Sequence, residues 1–196
     1  MLLLYNLSAK QKFLLLSVCF LIAMLCRPVD VLVISTAPDP QLRGEAHAPE
    51  PPVFRGIAPL GQEFWTQYIH SVQLTPVLDC YRVVNGRVWS WREYIQSHNA
   101  GLPFQKPAFG RFVMDAPWMI IEGGRQDWER ILLRVGNAEL GRNAFAYDRG
   151  MPALWIPLYT SYPGKRLLIE VVRWPLLHAA SLYFNSAPRN LPPSPH

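Results

Sequence analysis

The hydrophobic pattern changes character along the chain. From Phe13 to Cys26 (FLLLSVCFLIAMLC) polar positions almost vanish, which predicts an apolar helix. From Val31 onward the apolar runs are short and rich in Val, Ile, Trp and Tyr, with Gly, Pro and Asn between them, which predicts strands. The expected strands are Val31–Ser35, Glu63–Val72, Val77–Val84, Arg87–Ile95, Pro117–Glu122, Arg130–Gly136 and Leu167–Trp174. Leu154–Leu158 reads as a short edge strand, because Pro157 has no amide donor. Leu176–Phe184 fits either a last strand or a short helix. The Pro-rich stretch Thr36–Leu60, then Ser97–Pro107 and Asn137–Pro152, read as irregular. Short strands, frequent turns and no long amphipathic helix predict an all-β fold: an antiparallel β-sandwich or a partly open barrel behind an N-terminal hydrophobic helix. The organisation expected is an N-terminal anchor or signal segment over 1–28, a β-domain over 29–186 with a Pro-rich insertion at 36–60, and a disordered tail over 187–196.

The densest polar chemistry falls on Glu63–Ile95. Asn85-Gly86 between two alternating runs predicts a two-residue type I′ hairpin, since both positions tolerate positive φ. That register sets Arg82 opposite Trp89, a cation–π pair, Cys80 opposite Trp91, and Asp79 opposite Arg92. A four-residue loop at Gln73–Pro76 then sets His70 opposite Asp79. His70, Asp79 and Arg92 line up on one face, which Tyr68 and Tyr81 share. Two readings follow: a polar network stitching three strands, or a face whose Arg and His hold a carboxylate or an anionic partner loop. Ala100-Gly101-Leu102-Pro103, soon after the third strand, would border that face or simply shape a turn. His70 and Ser71 are adjacent in a strand and point to opposite faces, and no G-x-S-x-G elbow exists, which disfavours a serine nucleophile. His70, Asp79 and His98 lack metal-ligand spacing, so neither a metal nor another cofactor is expected.

Charge and cysteines narrow the classes. The chain has 196 residues and a net charge of +5, but its basic residues are scattered and no basic stripe or nucleic-acid motif appears. Of three cysteines, Cys19 and Cys26 lie in the apolar run, leaving Cys80 as a buried small residue without a disulfide partner. Lys10 and Lys12 precede the run and Arg27-Pro28 closes it. No small-x-small site follows closely, so an uncleaved signal anchor is expected, with its N-terminus cytoplasmic and the bulk outside.

The order His70-Ser71-Val72, Thr75-Pro76-Val77, Asp79, Ala100-Gly101-Leu102-Pro103 and Arg134-Val135-Gly136 resembles the bacterial "domain of unknown function 1850" family over about Val31–Phe184. Asp79 stands where that family usually has Glu, and Asn99 where a Gly is common. The resemblance implies a small extracytoplasmic β-domain in the cell envelope, bound to the inner or cytoplasmic membrane. It also implies an accessory role, because such genes often neighbour TRAP-type transporters of the TAXI class. Two classes compete. One is a membrane-anchored accessory or partner-binding module, assisting a TRAP-type organic-anion transporter, and an enzyme is the less expected outcome. The other is an envelope hydrolase or metal-dependent enzyme using His70 and Asp79.

Overall fold

The computed structural model describes residues 8–38, 51–96, 109–123 and 126–185. They fall into two compact units. The first contains α1 (Ala9–Leu25) and α3 (Leu176–Asn185). Ser8 opens α1 with a capping box: its hydroxyl accepts from the Gln11 amide, and its own amide donates to Gln11 Oε1 at 2.9 Å. No residue of α1 is buried. The two helices touch, and the Leu176 amide donates to the Arg27 carbonyl at 2.9 Å. Of the two forms open to Leu176–Phe184, the chain takes the helix. No helix among the described residues is long and apolar enough to cross a membrane.

The second unit, 30–172, is a sandwich of two sheets. The smaller has the order β2 (Phe54–Ile57), β1 (Pro28–Thr36), β12 (Arg166–Pro175), β9 (Arg130–Arg134). The larger runs β11 (Ile156–Pro157), β10 (Gly141–Ala146), β3 (Gln62–Ile69), β4 (Pro76–Val84), β5 (Arg87–Ile95), β7 (Trp118–Gly123), β6 (Gly110–Asp115), with β8 (Asp127–Trp128) beside β5. Each pairing along the larger sheet is antiparallel, and the sheet stays open. Leu32, Ile34, Leu167 and Ile169 of one sheet pack on Phe64, Val83, Val88 and Phe145 of the other. Burying such side chains stabilises the unit by about 1.5–3 kcal/mol each. The all-β expectation holds.

Four strands lie outside the expected set, one of them the two-residue β8 beside β5. β2 sits inside the stretch read as irregular and pairs with β1 from Val31–Ile57 to Ile34–Phe54. β6 forms a hairpin with β7 around Ala116-Pro117. β10 lies in Asn137–Pro152, and its last four residues are all buried, so no alternation marks it. The edge strand at Leu154–Leu158 is real but reduced to Ile156–Pro157, beside β10.

Gly136, the last residue of the Arg134-Val135-Gly136 motif, has a steric cause. A Cβ there would stand 2.0 Å from the Leu140 carbonyl oxygen. The Gly136 amide donates to buried Asn143 Oδ1 at 2.7 Å, and the Asn137 amide to Leu140 O at 2.8 Å, so the backbone is pinned on both sides. Gly136→Ala is expected to destabilise the β-unit by about 2–4 kcal/mol, read as a lowered urea midpoint in tryptophan fluorescence. An unchanged midpoint would disprove this close approach.

Candidate functional site

The Asn85-Gly86 turn forms as expected, with φ of 52° and 74°, and the Gly86 amide donates to Asp30 Oδ2 at 2.9 Å. Its register holds through Val84–Arg87, Val83–Val88, Arg82–Trp89 and Tyr81–Ser90. It then shifts by one: Cys80 faces Arg92, Asp79 faces Glu93, and Leu78 faces Tyr94. Trp91 is the extra residue of a β-bulge, which flips every later side chain to the other face. The expected Asp79–Arg92 and Cys80–Trp91 pairs are therefore absent. A signal existed in the sequence. The large aromatics of β5 fall at 89, 91 and then 94, a one-residue slip in phase.

The β3–β4 connection also departs from expectation. β3 ends at Ile69, opposite Pro76, so Thr66, not His70, faces Asp79. His70 opens the turn instead. Its amide donates to the Thr75 carbonyl at 2.9 Å, and its carbonyl accepts from the Leu74 amide at 2.8 Å. Its Nδ1 accepts from the Val72 amide at 3.2 Å and the Gln73 amide at 3.4 Å. Leu74 takes a left-handed conformation, φ 54°. At ~3.3 Å per residue, His70 lies about 13 Å along the strand from the Asp79 row.

The inner face then carries a row Thr66–Asp79–Glu93–Ile121, flanked by Tyr68 and Tyr81. Three of the five expected site residues, Asp79, Tyr68 and Tyr81, share it, while His70 and Arg92 leave it. Thr66 Oγ1 donates to Asp79 Oδ2 at 3.4 Å. Burial, and then the facing Glu93 carboxylate, push Asp79 up to about 7, against the Thr66 bond. Burial also raises Glu93. Tyr68 is pushed up to about 12 by burial and the two carboxylates, and Tyr81 is raised for the same reasons.

The outer face of the same sheet holds the second cluster, which no sequence expectation anticipated. Trp65, Leu78, Cys80, Tyr94, Ile120 and Ala146 are buried there, with Trp91, Trp118 and Trp155 packed against them. Cys80 is the buried small residue expected, and burial pushes its thiol up. Glu63, 5% exposed, accepts from Arg82 Nε at 2.8 Å, from Arg82 Nη2 at 2.7 Å and from the Gly150 amide at 2.9 Å. Burial alone would raise the Glu63 pKa, but the Gly150 and Arg82 bonds hold it below the usual carboxylate range. The Arg82 guanidinium stacks 3.7 Å from the centre of the Trp91 ring, so its aromatic partner is Trp91 and not the facing Trp89. Arg92 Nε lies 2.9 Å from Glu122 Oε1, an ion pair by distance whose N–H is not aimed for a hydrogen bond. Arg111 holds the other Glu122 oxygen. Trp65, Trp89 and Trp91 keep buried indole N–H groups with no acceptor among the described residues.

Among the described residues no group of three or more His, Cys, Asp or Glu is placed to hold a metal ion. Ala100, Gly101, Leu102 and Pro103, and also His98, lie outside the described residues. Residues 64–150 match the model of the family described as Domain of unknown function (DUF1850), the family the motif order resembles. Over that stretch, from β3 to Gly150, the chain is similar to this family. No curated protein and no solved structure gives a significant match.

Two expected outcomes follow from these opposite carboxylates. Asp79 has a raised pKa in the folded state. The folded protein thus holds a proton that the unfolded chain has released, and stability falls as pH rises from ~4 to ~7. Asp79→Asn, which keeps an acceptor for Thr66, should flatten that slope and stabilise the protein at pH 8 by about 1–2 kcal/mol, discounted for partial exposure. Urea melts at pH 5 and pH 8 measure it, and an unchanged slope would contradict the paired-acid geometry. Arg82→Met should cost about 2–3 kcal/mol at pH 7, because it strands the buried Glu63 carboxylate. The double variant with Glu63→Gln should recover part of that loss. A fully additive cycle would refute the coupling.

Proposed function

We propose that this protein is a membrane-anchored module with its β-unit outside the cytoplasm, where it binds a partner in an accessory role and performs no chemistry of its own. The observation that carries the reading is α1. Phe13, Leu14, Leu16 and Phe20 are 74%, 65%, 69% and 69% exposed, and no side chain of the helix is buried. A helix apolar on every side has no stable place in water. At 1.5 Å per residue its 17 residues reach about 25 Å, some 5 Å short of a ~30 Å hydrocarbon core. Lys10, Lys12 and Arg27 close that difference by extending toward the headgroups. The lysines favour a cytoplasmic N-terminus.

The polar groups of the β-unit support binding over reaction. His70 Nδ1 is occupied by two backbone amides, and Arg82 and Arg92 are neutralised by Glu63 and Glu122. The free surface the turn offers is apolar: Val72 and Leu74 are 71% and 72% exposed at its tip. Such a tip suits contact with another protein, and the family resemblance directs that reading to a membrane subunit of a TRAP-type transporter. Crosslinking in native membranes followed by purification tests it. The protein is expected to stay with the membrane after a carbonate wash and to retrieve a transporter subunit, with the yield reduced by Val72→Asp/Leu74→Asp. Release by carbonate rejects the anchor. Retention without a transporter component in the crosslinks rejects the partner.

A further inference from the structure

We infer that α3 is a second membrane contact, a helix seated among lipid headgroups and upper acyl chains beside the end of α1. The inference rests on the anchoring reading of α1 and extends it to a segment at the other end of the chain.

Four observations carry it. First, from Trp174 to Leu182 (WPLLHAASL) the chain has no Asp, Glu, Lys or Arg. Second, the helix turns a large apolar residue outward beside exposed His178 and Ser181. Ala179 is 3% exposed while Leu177 is 59% exposed, so the small residue faces protein and the large apolar one faces out. Third, α3 is tied to α1 at a defined level. The Leu176 amide donates to the Arg27 carbonyl at 2.9 Å, and the two helices touch. The first turn of α3 therefore begins where the apolar run of α1 ends, and any lipid around that end of α1 also meets α3. Fourth, the junction has the composition of a membrane boundary. Arg27 and Arg173 are both exposed there, and the Trp174 ring lies 5.0 Å from the His178 ring. Ten residues reach about 15 Å, half a hydrocarbon core, so α3 lies in the boundary and does not cross.

Thiol accessibility in open native membrane fragments tests this with the full chain. A membrane-impermeant maleimide then reaches both aqueous faces, and buried Cys80 stays silent. Native Cys19, in a Cys26→Ser background, reports α1. Leu177→Cys, in a Cys19→Ser/Cys26→Ser background, reports α3, and Met114→Cys, at a position 67% exposed on β6, gives the aqueous rate. Leu177→Cys is expected to label at least about tenfold more slowly than Met114→Cys, and at the same rate after denaturation in SDS. Rapid labelling of Leu177→Cys with Cys19 still shielded overturns the inference and leaves the anchor intact. Rapid labelling of Cys19 overturns the anchor and the inference with it. If Leu177→Cys is shielded yet oxidises to a disulfide-linked dimer, a second copy covers it, which also overturns the inference.

Discussion

Between Tyr81–Ser90 and Cys80–Arg92 the β4–β5 ladder gains one residue, and the rest of the charge arrangement depends on that step. Side chains alternate faces with a period of two, so one inserted residue exchanges the faces of everything beyond it. Arg92 moves outward, beside Cys80 and Glu122. Glu93 moves inward, opposite Asp79. Without the bulge a cation would stand inside the sandwich next to Asp79. With it, the sandwich holds two acids that ionise reluctantly, and the cations collect on the outer face. Trp91, the inserted residue, becomes the surface on which Arg82 stacks.

The two faces then treat the same functional group in opposite ways. Glu63 is nearly fully buried, yet two N–H groups of Arg82 and one backbone amide keep it ionised. Asp79 has a single hydroxyl donor and a facing carboxylate, so burial dominates. Among the described residues donors are in excess on the outer side, where three indole N–H groups find no acceptor. Each unmade bond of this kind costs about 1–3 kcal/mol. The outer cluster is held by apolar packing and the Arg82–Glu63 bridge, against that cost.

Sequence legibility followed the strength of local chemistry. Asn85-Gly86 encodes its own backbone, so the hairpin and its first four pairs were readable. Loop length has no such code. Gln73–Pro76 looks like a complete four-residue loop, but His70 supplies a side-chain acceptor to two amides and lengthens the turn to six residues, His70–Thr75. That moved His70 off the site while leaving Tyr68, Asp79 and Tyr81 on one face, because a register shift of four preserves parity. β10 was hidden because consecutive buried residues erase alternation, and β2 because prolines outweigh a four-residue strand. The bulge left only the phase slip among Trp89, Trp91 and Tyr94.

The same turn shows why a motif with histidine need not mark chemistry. Val72 and Gln73 present their amides to one nitrogen, Nδ1, whose acceptor capacity is spent on the turn's own backbone. What the imidazole does instead is hold a tip whose outward residues, Val72 and Leu74, are 71% and 72% exposed. Leu74 is held in a conformation that a side chain with Cβ rarely adopts, at a cost of order 1–3 kcal/mol. The imidazole thus holds the turn against that strain while Val72 and Leu74 stay outward, so the histidine of the His70-Ser71-Val72 motif has a structural task in shaping this tip.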